Sequence, residues 1–180
     1  MKYKVVSLLV LLVIAFFGAR YWSHRIETYD LSYVPKSFGV SKILYNSQKS
    51  LGFGPGGNET GIIIYELPVE VAEKIMNGGL AYLNGLPQQP GNTYDWHGRF
   101  HKWGETPLLL HGDDGTPRKT LDHEIGHYLD RYGFGIELEK EIEREINSAL
   151  SSSKSFYSFG RIGFILVIPK SRKVIFAYNG

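Results

Sequence analysis

Residues 164–178 read FILVIPKSRKVIFAY, two apolar runs separated by a short basic segment. Each run, residues 164–168 and residues 174–178, has the length and the β-branched and aromatic content of a buried strand. The segment around residues 170–172 is short enough to join the two strands as an antiparallel hairpin. The pattern therefore predicts an antiparallel sheet in this part of the chain.

The preceding residues carry further strand and helix patterns. Residues 62–65, Ile-Ile-Ile-Tyr, predict a buried strand, and residues 108–110 predict a short one. Helical patterns begin at Pro68 and end at Gly85, and two more occupy residues 117–132 and 136–150. Glycine-rich residues 47–61 predict a loop, and residues 156–163 predict tight turns. The expected fold is α+β, with a small, mainly antiparallel sheet and three helices after an N-terminal anchor helix.

The composition excludes several classes of function. The 180 residues carry a net charge of +2, contain no cysteine and are 43% hydrophobic, which suits one folded domain rather than a disordered chain. The basic residues are scattered, which argues against an electrostatic nucleic-acid-binding protein. Without cysteine there are no disulfides, thiolate metal sites or cysteine nucleophiles. A metal ion would therefore need His, Asp or Glu ligands.

The N-terminus predicts membrane attachment. Two lysines precede an apolar run over residues 5–19, as in a secretory signal. Cleavage requires small residues at −3 and −1, whereas a cut after Ala19 would place Phe17 at −3. The run is shorter than the roughly 20 residues that span a bilayer, and aromatic residues 21–22 extend it. We expect an uncleaved signal anchor over residues 1–25 and one exported domain over residues 26–180, on the periplasmic or extracellular side; a cleaved, secreted form is the alternative.

One motif indicates a possible metal-binding and catalytic site. Residues 123–127 read His123-Glu124-Ile125-Gly126-His127, an H-E-x-x-H pattern within the second predicted helix. Histidines four residues apart lie on one helical face, so both imidazoles can bind a single Zn²⁺. The glutamate between them can accept a proton from metal-bound water. Helical phase places the histidines away from the apolar stripe that contains Ile125.

Residues 120–129, about ten of the 180, resemble the active-site helix of the zincin metallopeptidases. This resemblance implies a zinc-dependent hydrolase that acts on peptides or proteins. It implies His123 and His127 as zinc ligands and Glu124 as the general base.

The motif leaves the third zinc ligand open. Asp130 shares the face of the histidines, but its Cα lies about 10 Å along the helix axis from that of His123. We expect it to orient a histidine instead. The metzincin extension requires glycine at 130 and histidine at 133, where this chain has Asp130 and Gly133. As in the gluzincins, a glutamate of the next helix is expected, and each candidate has a solvated surface role as its alternative. The candidates are Glu145 first, then Glu137 and Glu141. His111, Tyr128 and Tyr132 are unranked candidates for contacting an oxyanion.

Two other functions remain open. The chain could be a non-enzymatic, membrane-tethered envelope interaction or immunity-like domain in which the H-E-x-x-H pattern is accidental. It could also hold a structural zinc ion, which usually has four protein ligands.

Two weaker motifs favour structural explanations. His97 and His101 repeat the four-residue spacing, but the surrounding glycine and proline argue against a helix there. Gly52, Gly54 and Gly57 match a phosphate-loop spacing, but neither the preceding strand nor the following helix that such a loop requires is predicted.

Overall fold

The computed structural model describes residues 2–51, 58–87, 102–108, 124–130, 135–160 and 163–179. This part of the chain forms four α-helices and six strands. The helices are α1 (Lys2–Leu31), α2 (Val69–Gly85), α3 (Ile125–Leu129) and α4 (Lys140–Ser151), and the strands are β1 (Ile43–Leu51), β2 (Asn58–Glu66), β3 (Gly104–Glu105), β4 (Phe156–Phe159), β5 (Gly163–Ile168) and β6 (Lys173–Asn179).

The six strands form one sheet in the order β1-β2-β6-β5-β4-β3. Every neighbouring pair is antiparallel. The predicted hairpin is confirmed as β5 and β6, joined by a 3₁₀ turn at Pro169–Ser171. The α+β fold, the antiparallel sheet and the three helices after α1 are therefore confirmed.

Both faces of the central strands are covered, which explains their nearly continuous apolar sequences. Along β5, Ile165 and Val167 point into a core with α2, whereas Phe164 and Leu166 point into a core with α3 and α4. Strand β2 alternates in the same way, so residues 62–65 supply both cores. The sheet is the middle layer of the domain.

Some expectations about local structure were wrong. Residues 47–51 belong to β1 and residues 58–61 belong to β2, although the polar and glycine-rich sequence predicted a loop. Residues 47–51 pair in register with residues 58–62, and this cross-strand pairing outweighs the low strand propensity of the segment. Residues 156–159 form β4 where tight turns were expected, because Phe156 and Ser158 alternate into the core.

Two other boundaries differ. Leu108 is buried but lies outside any strand, where its backbone N–H donates to the carbonyl of Leu150 at 2.9 Å; residues 109–110 lie outside the described part. Helix α4 begins at Lys140 rather than at residue 136.

Helix α1 continues past the predicted anchor, which was expected to end at residue 25. Its last turn is part of the domain because the Tyr65 hydroxyl donates to the carbonyl of Asp30 at 2.7 Å. Just beyond the helix, the ring of Tyr33 stacks on Phe176 with centroids 4.7 Å apart. Within the described residues, no helix has an apolar stretch long enough to cross a bilayer.

Candidate functional site

The H-E-x-x-H segment contributes helix α3, which is held against the sheet and α4 at both ends. At its start, the backbone N–H of Ile125 donates to the side-chain carbonyl of Asn147 on α4 at 2.8 Å. At its end, the Thr60 hydroxyl of β2 donates to the carbonyl of Leu129 at 2.9 Å. The side-chain amide of Asn179 also donates to the carbonyl of Tyr128. These contacts fix the backbone that carries the motif.

Helix α3 is shorter than its sequence predicted. The expected helix spanned residues 117–132, whereas the observed helix begins at Ile125 and ends at Leu129. Glu124 has an extended backbone, with φ −91° and ψ 112°. The regular helical spacing assumed across the motif is therefore not met at Glu124. Residues 117–123, including His123, lie outside the described part of the chain.

Glu124 and His127 lie side by side on the surface. The Oε2 atom of Glu124 is 3.5 Å from Nε2 of His127. Their side chains are 60% and 62% exposed, respectively, whereas Ile125 between them is buried. The prediction that the histidines face away from the apolar stripe is thus confirmed for His127, while His123 lies outside the described residues. A carboxylate and an imidazole this close can share a proton or a cation.

The favoured third ligand has another partner. The Oε2 atom of Glu145 is 2.5 Å from Nζ of Lys173 on β6, and both side chains are only about one-third exposed. Glu137 and Glu141 are exposed. Glu145 therefore lies in an ion pair with the sheet.

Glu143 is the α4 carboxylate beside α3, which the sequence reasoning missed. A Cβ atom built on Gly126 would lie 2.8 Å from its Oε1 atom. Helical phase could have identified it: at 100° per residue, Glu143 falls about 60° from Ile146, between Leu150 and Asn147. Glu145 falls about 100° from Ile146 in the opposite direction.

The remaining predicted site residues have local structural contacts. The Asp130 carboxylate accepts a hydrogen bond from the N–H of Gly135 at 2.7 Å. The ring of Tyr128 packs edge-on against Phe164 with centroids 4.9 Å apart. The remaining candidates, His97, His101, His111, Tyr132 and the glycines at 52, 54 and 57, lie outside the described residues.

The side chains of Glu124 and His127 offer donor atoms of the kinds that bind zinc, because imidazole nitrogen and carboxylate oxygen are among its usual ligands. Over the described ranges, however, no three His, Asp or Glu side chains converge to hold a metal ion. A zinc site here would therefore need a ligand from outside the described residues, such as the predicted His123. No protein-family model, curated protein or solved structure matches this chain.

Proposed function

We propose that this protein is a membrane-anchored, zinc-dependent hydrolase that acts on peptides. His123 and His127 would bind the metal, and Glu124 would be the general base. The observation that carries the proposal is the exposed Glu124–His127 pair, 3.5 Å apart. His127 lies on helix α3, which hydrogen bonds hold in place, and Glu124 directly precedes that helix. A carboxylate next to a ligand imidazole is what the H-E-x-x-H chemistry requires.

Bound zinc would polarise the substrate carbonyl and lower the pKa of a water molecule. The protein's own groups would do the rest. The exposed Glu124 carboxylate would accept a proton from the attacking water and deliver it to the leaving amine. Because the Glu145 carboxylate pairs with Lys173, Glu143 is the better placed carboxylate of α4 to complete the site or to orient His127.

The exposed apolar side chains of α1 support membrane anchoring. Large side chains from Leu11 to Trp22 are more than half exposed and surround the helix. Such a surface is unfavourable in water and is stabilised by contact with an apolar phase, which supports attachment to a membrane although no described helix is apolar enough to cross one. Arg20 and Arg25 follow at the end where the helix would leave the lipid.

The proposal is tested by metal analysis of the full chain purified in detergent. We expect about one zinc per chain in the wild type and in His24→Ala, a matched control on α1, and a loss of at least tenfold in His123→Ala and His127→Ala. Glu124→Gln should keep the zinc but lose peptide hydrolysis. Equal, near-zero zinc in the wild type and all variants would overturn the proposal.

A second candidate is a non-enzymatic tethered interaction domain. The extended backbone of Glu124 favours it, because the motif was expected to lie within one continuous helix. This candidate predicts no zinc in any variant and unchanged folding of His127→Ala, measured by circular dichroism. Zinc retained without any hydrolysis, and unaffected by Glu124→Gln, would instead indicate a structural metal.

A further inference from the structure

A buried carboxylate lies where α1 joins the sheet. Asp30 is in the last turn of α1 and is only 5% exposed. Its Oδ2 atom accepts a hydrogen bond from the side-chain amide of Asn46 on β1 at 2.7 Å. In the described part of the chain, Asp30 forms no ion pair. Burying an ionised carboxylate with amide donors alone is unfavourable.

Asp30 ends a chain of side-chain hydrogen bonds that crosses the sheet. The Tyr178 hydroxyl of β6 donates to Oε1 of Gln48 at 2.8 Å. The Gln48 amide donates to Oδ1 of Asn46 at 2.7 Å, and Asn46 donates to Asp30. A change at Asp30 therefore acts on contacts that link α1 to two strands.

The other titratable groups around this series of hydrogen bonds are phenols and one carboxyl. On the α1 side they are Tyr29 and Tyr33, and on the sheet side they are Tyr65, Tyr178 and Glu59. Burial raises the pKa values of Tyr33, Tyr65 and Tyr178, so these phenols stay neutral at physiological pH. Asp30 is the buried carboxyl of this joint, whereas Glu59 is exposed.

We propose that Asp30 makes the joint between α1 and the sheet sensitive to pH: its buried carboxyl group tightens the joint when it is protonated and loosens the joint when it loses that proton as pH rises. The device would set how firmly the domain is held to helix α1; a role in membrane attachment rests on the proposed anchor. It is independent of zinc and of the proposed hydrolase activity.

Desolvation of the Asp30 carboxylate sets the direction of the pH dependence. Burial raises the pKa of Asp30 above its ordinary value of 3.8, while the hydrogen bonds from Gln48 and Asn46 oppose that rise. The folded state therefore binds the proton more tightly than the unfolded state does. The stability contribution is complete below about pH 3.8 and is lost as pH rises through the raised pKa.

The test combines two measurements on the full chain in detergent. NMR of ¹³C-labelled aspartate should give Asp30 a titration midpoint above 3.8. Hydrogen exchange of the amides of residues 28–33, corrected for intrinsic rates, should slow several-fold as pH falls through the same midpoint.

Variants separate this joint from the other carboxylates. Asn at position 30 is neutral and similar in shape to Asp. In Asp30→Asn, the backbone amides of residues 28–33 should therefore stay protected at every pH. Glu27→Gln removes an exposed carboxylate from the same helix and should keep the wild-type profile. A midpoint at or below 3.8, or an exchange profile of Asp30→Asn that follows the wild type, would refute the proposal. If Asp30→Asn does not fold, the two wild-type measurements decide alone.

Discussion

The contact between Thr60 and α3 gives the sharpest prediction for stability. Thr60 is 2% exposed, and its hydroxyl donates to the Leu129 carbonyl at 2.9 Å, with the Tyr178 carbonyl 3.3 Å away. Thr60→Val keeps the shape of the side chain but leaves a buried carbonyl without its donor. We expect a loss of about 1–3 kcal/mol in the free energy of unfolding. For a chain of this length, that corresponds to a fall in Tm of roughly 2–12 °C.

The assay is thermal unfolding followed by circular dichroism, together with hydrogen exchange of residues 125–130. The matched control is Thr28→Val, whose hydroxyl bonds to the His24 carbonyl on the exposed surface of α1. That change should stay within about 0.5 kcal/mol. If Thr60→Val is as stable as Thr28→Val and the exchange of α3 is unchanged, the argument that Thr60 holds α3 in place is refuted.

Three further substitutions test the packing. Gly61→Ala should lower the Tm because its new Cβ would lie 2.6 Å from ring atoms of Tyr178, and Gly61→Ala in a Tyr178→Ala background should cost less; equal costs would contradict the contact. Gly126→Ala should be slightly less favourable with Glu143 present than in Glu143→Ala, since the new Cβ would lie 2.8 Å from Oε1 at the end of a flexible side chain; a double-mutant cycle in which Glu143 makes the alanine more favourable would contradict the contact. Leu150→Ala, at a fully buried position, should cost about 2–5 kcal/mol in chemical denaturation, and a loss below about 1 kcal/mol would contradict its place in the core.

The sequence predicted the elements whose signals are local. The runs at residues 164–168 and 174–178 are apolar enough, and their connection short enough, to specify a hairpin without reference to the rest of the chain. Pro68 marked the start of α2 for the same reason, since proline favours the first turn of a helix. By contrast, the polar sequence of β1 forms a strand because it pairs with β2. Residue propensities describe local preferences and do not predict this long-range pairing.

The candidate site was predictable in part. The exposed and buried residues of α3 follow from helical phase, and the closeness of Glu124 and His127 agrees with their spacing. The choice of Glu145 among the α4 glutamates rested on family spacing and stays a prediction, whereas the apolar face of α4 would have pointed to Glu143 as the carboxylate beside α3. The ion pair between Glu145 and Lys173 joins residues 28 positions apart in the sequence, and no local sequence pattern predicts such a contact.

The position of β6 within the sheet affects how the protein can be made. It is the last strand in the sequence, yet it lies between β2 and β5 and joins the two halves of the sheet. The ribosome therefore releases β2 and β5 before the strand that pairs with both, and the backbone edges of these two strands that face β6 stay unpaired until β6 has been made. We expect closure of the sheet to be a late event in biogenesis, after residues 173–179 have been translated.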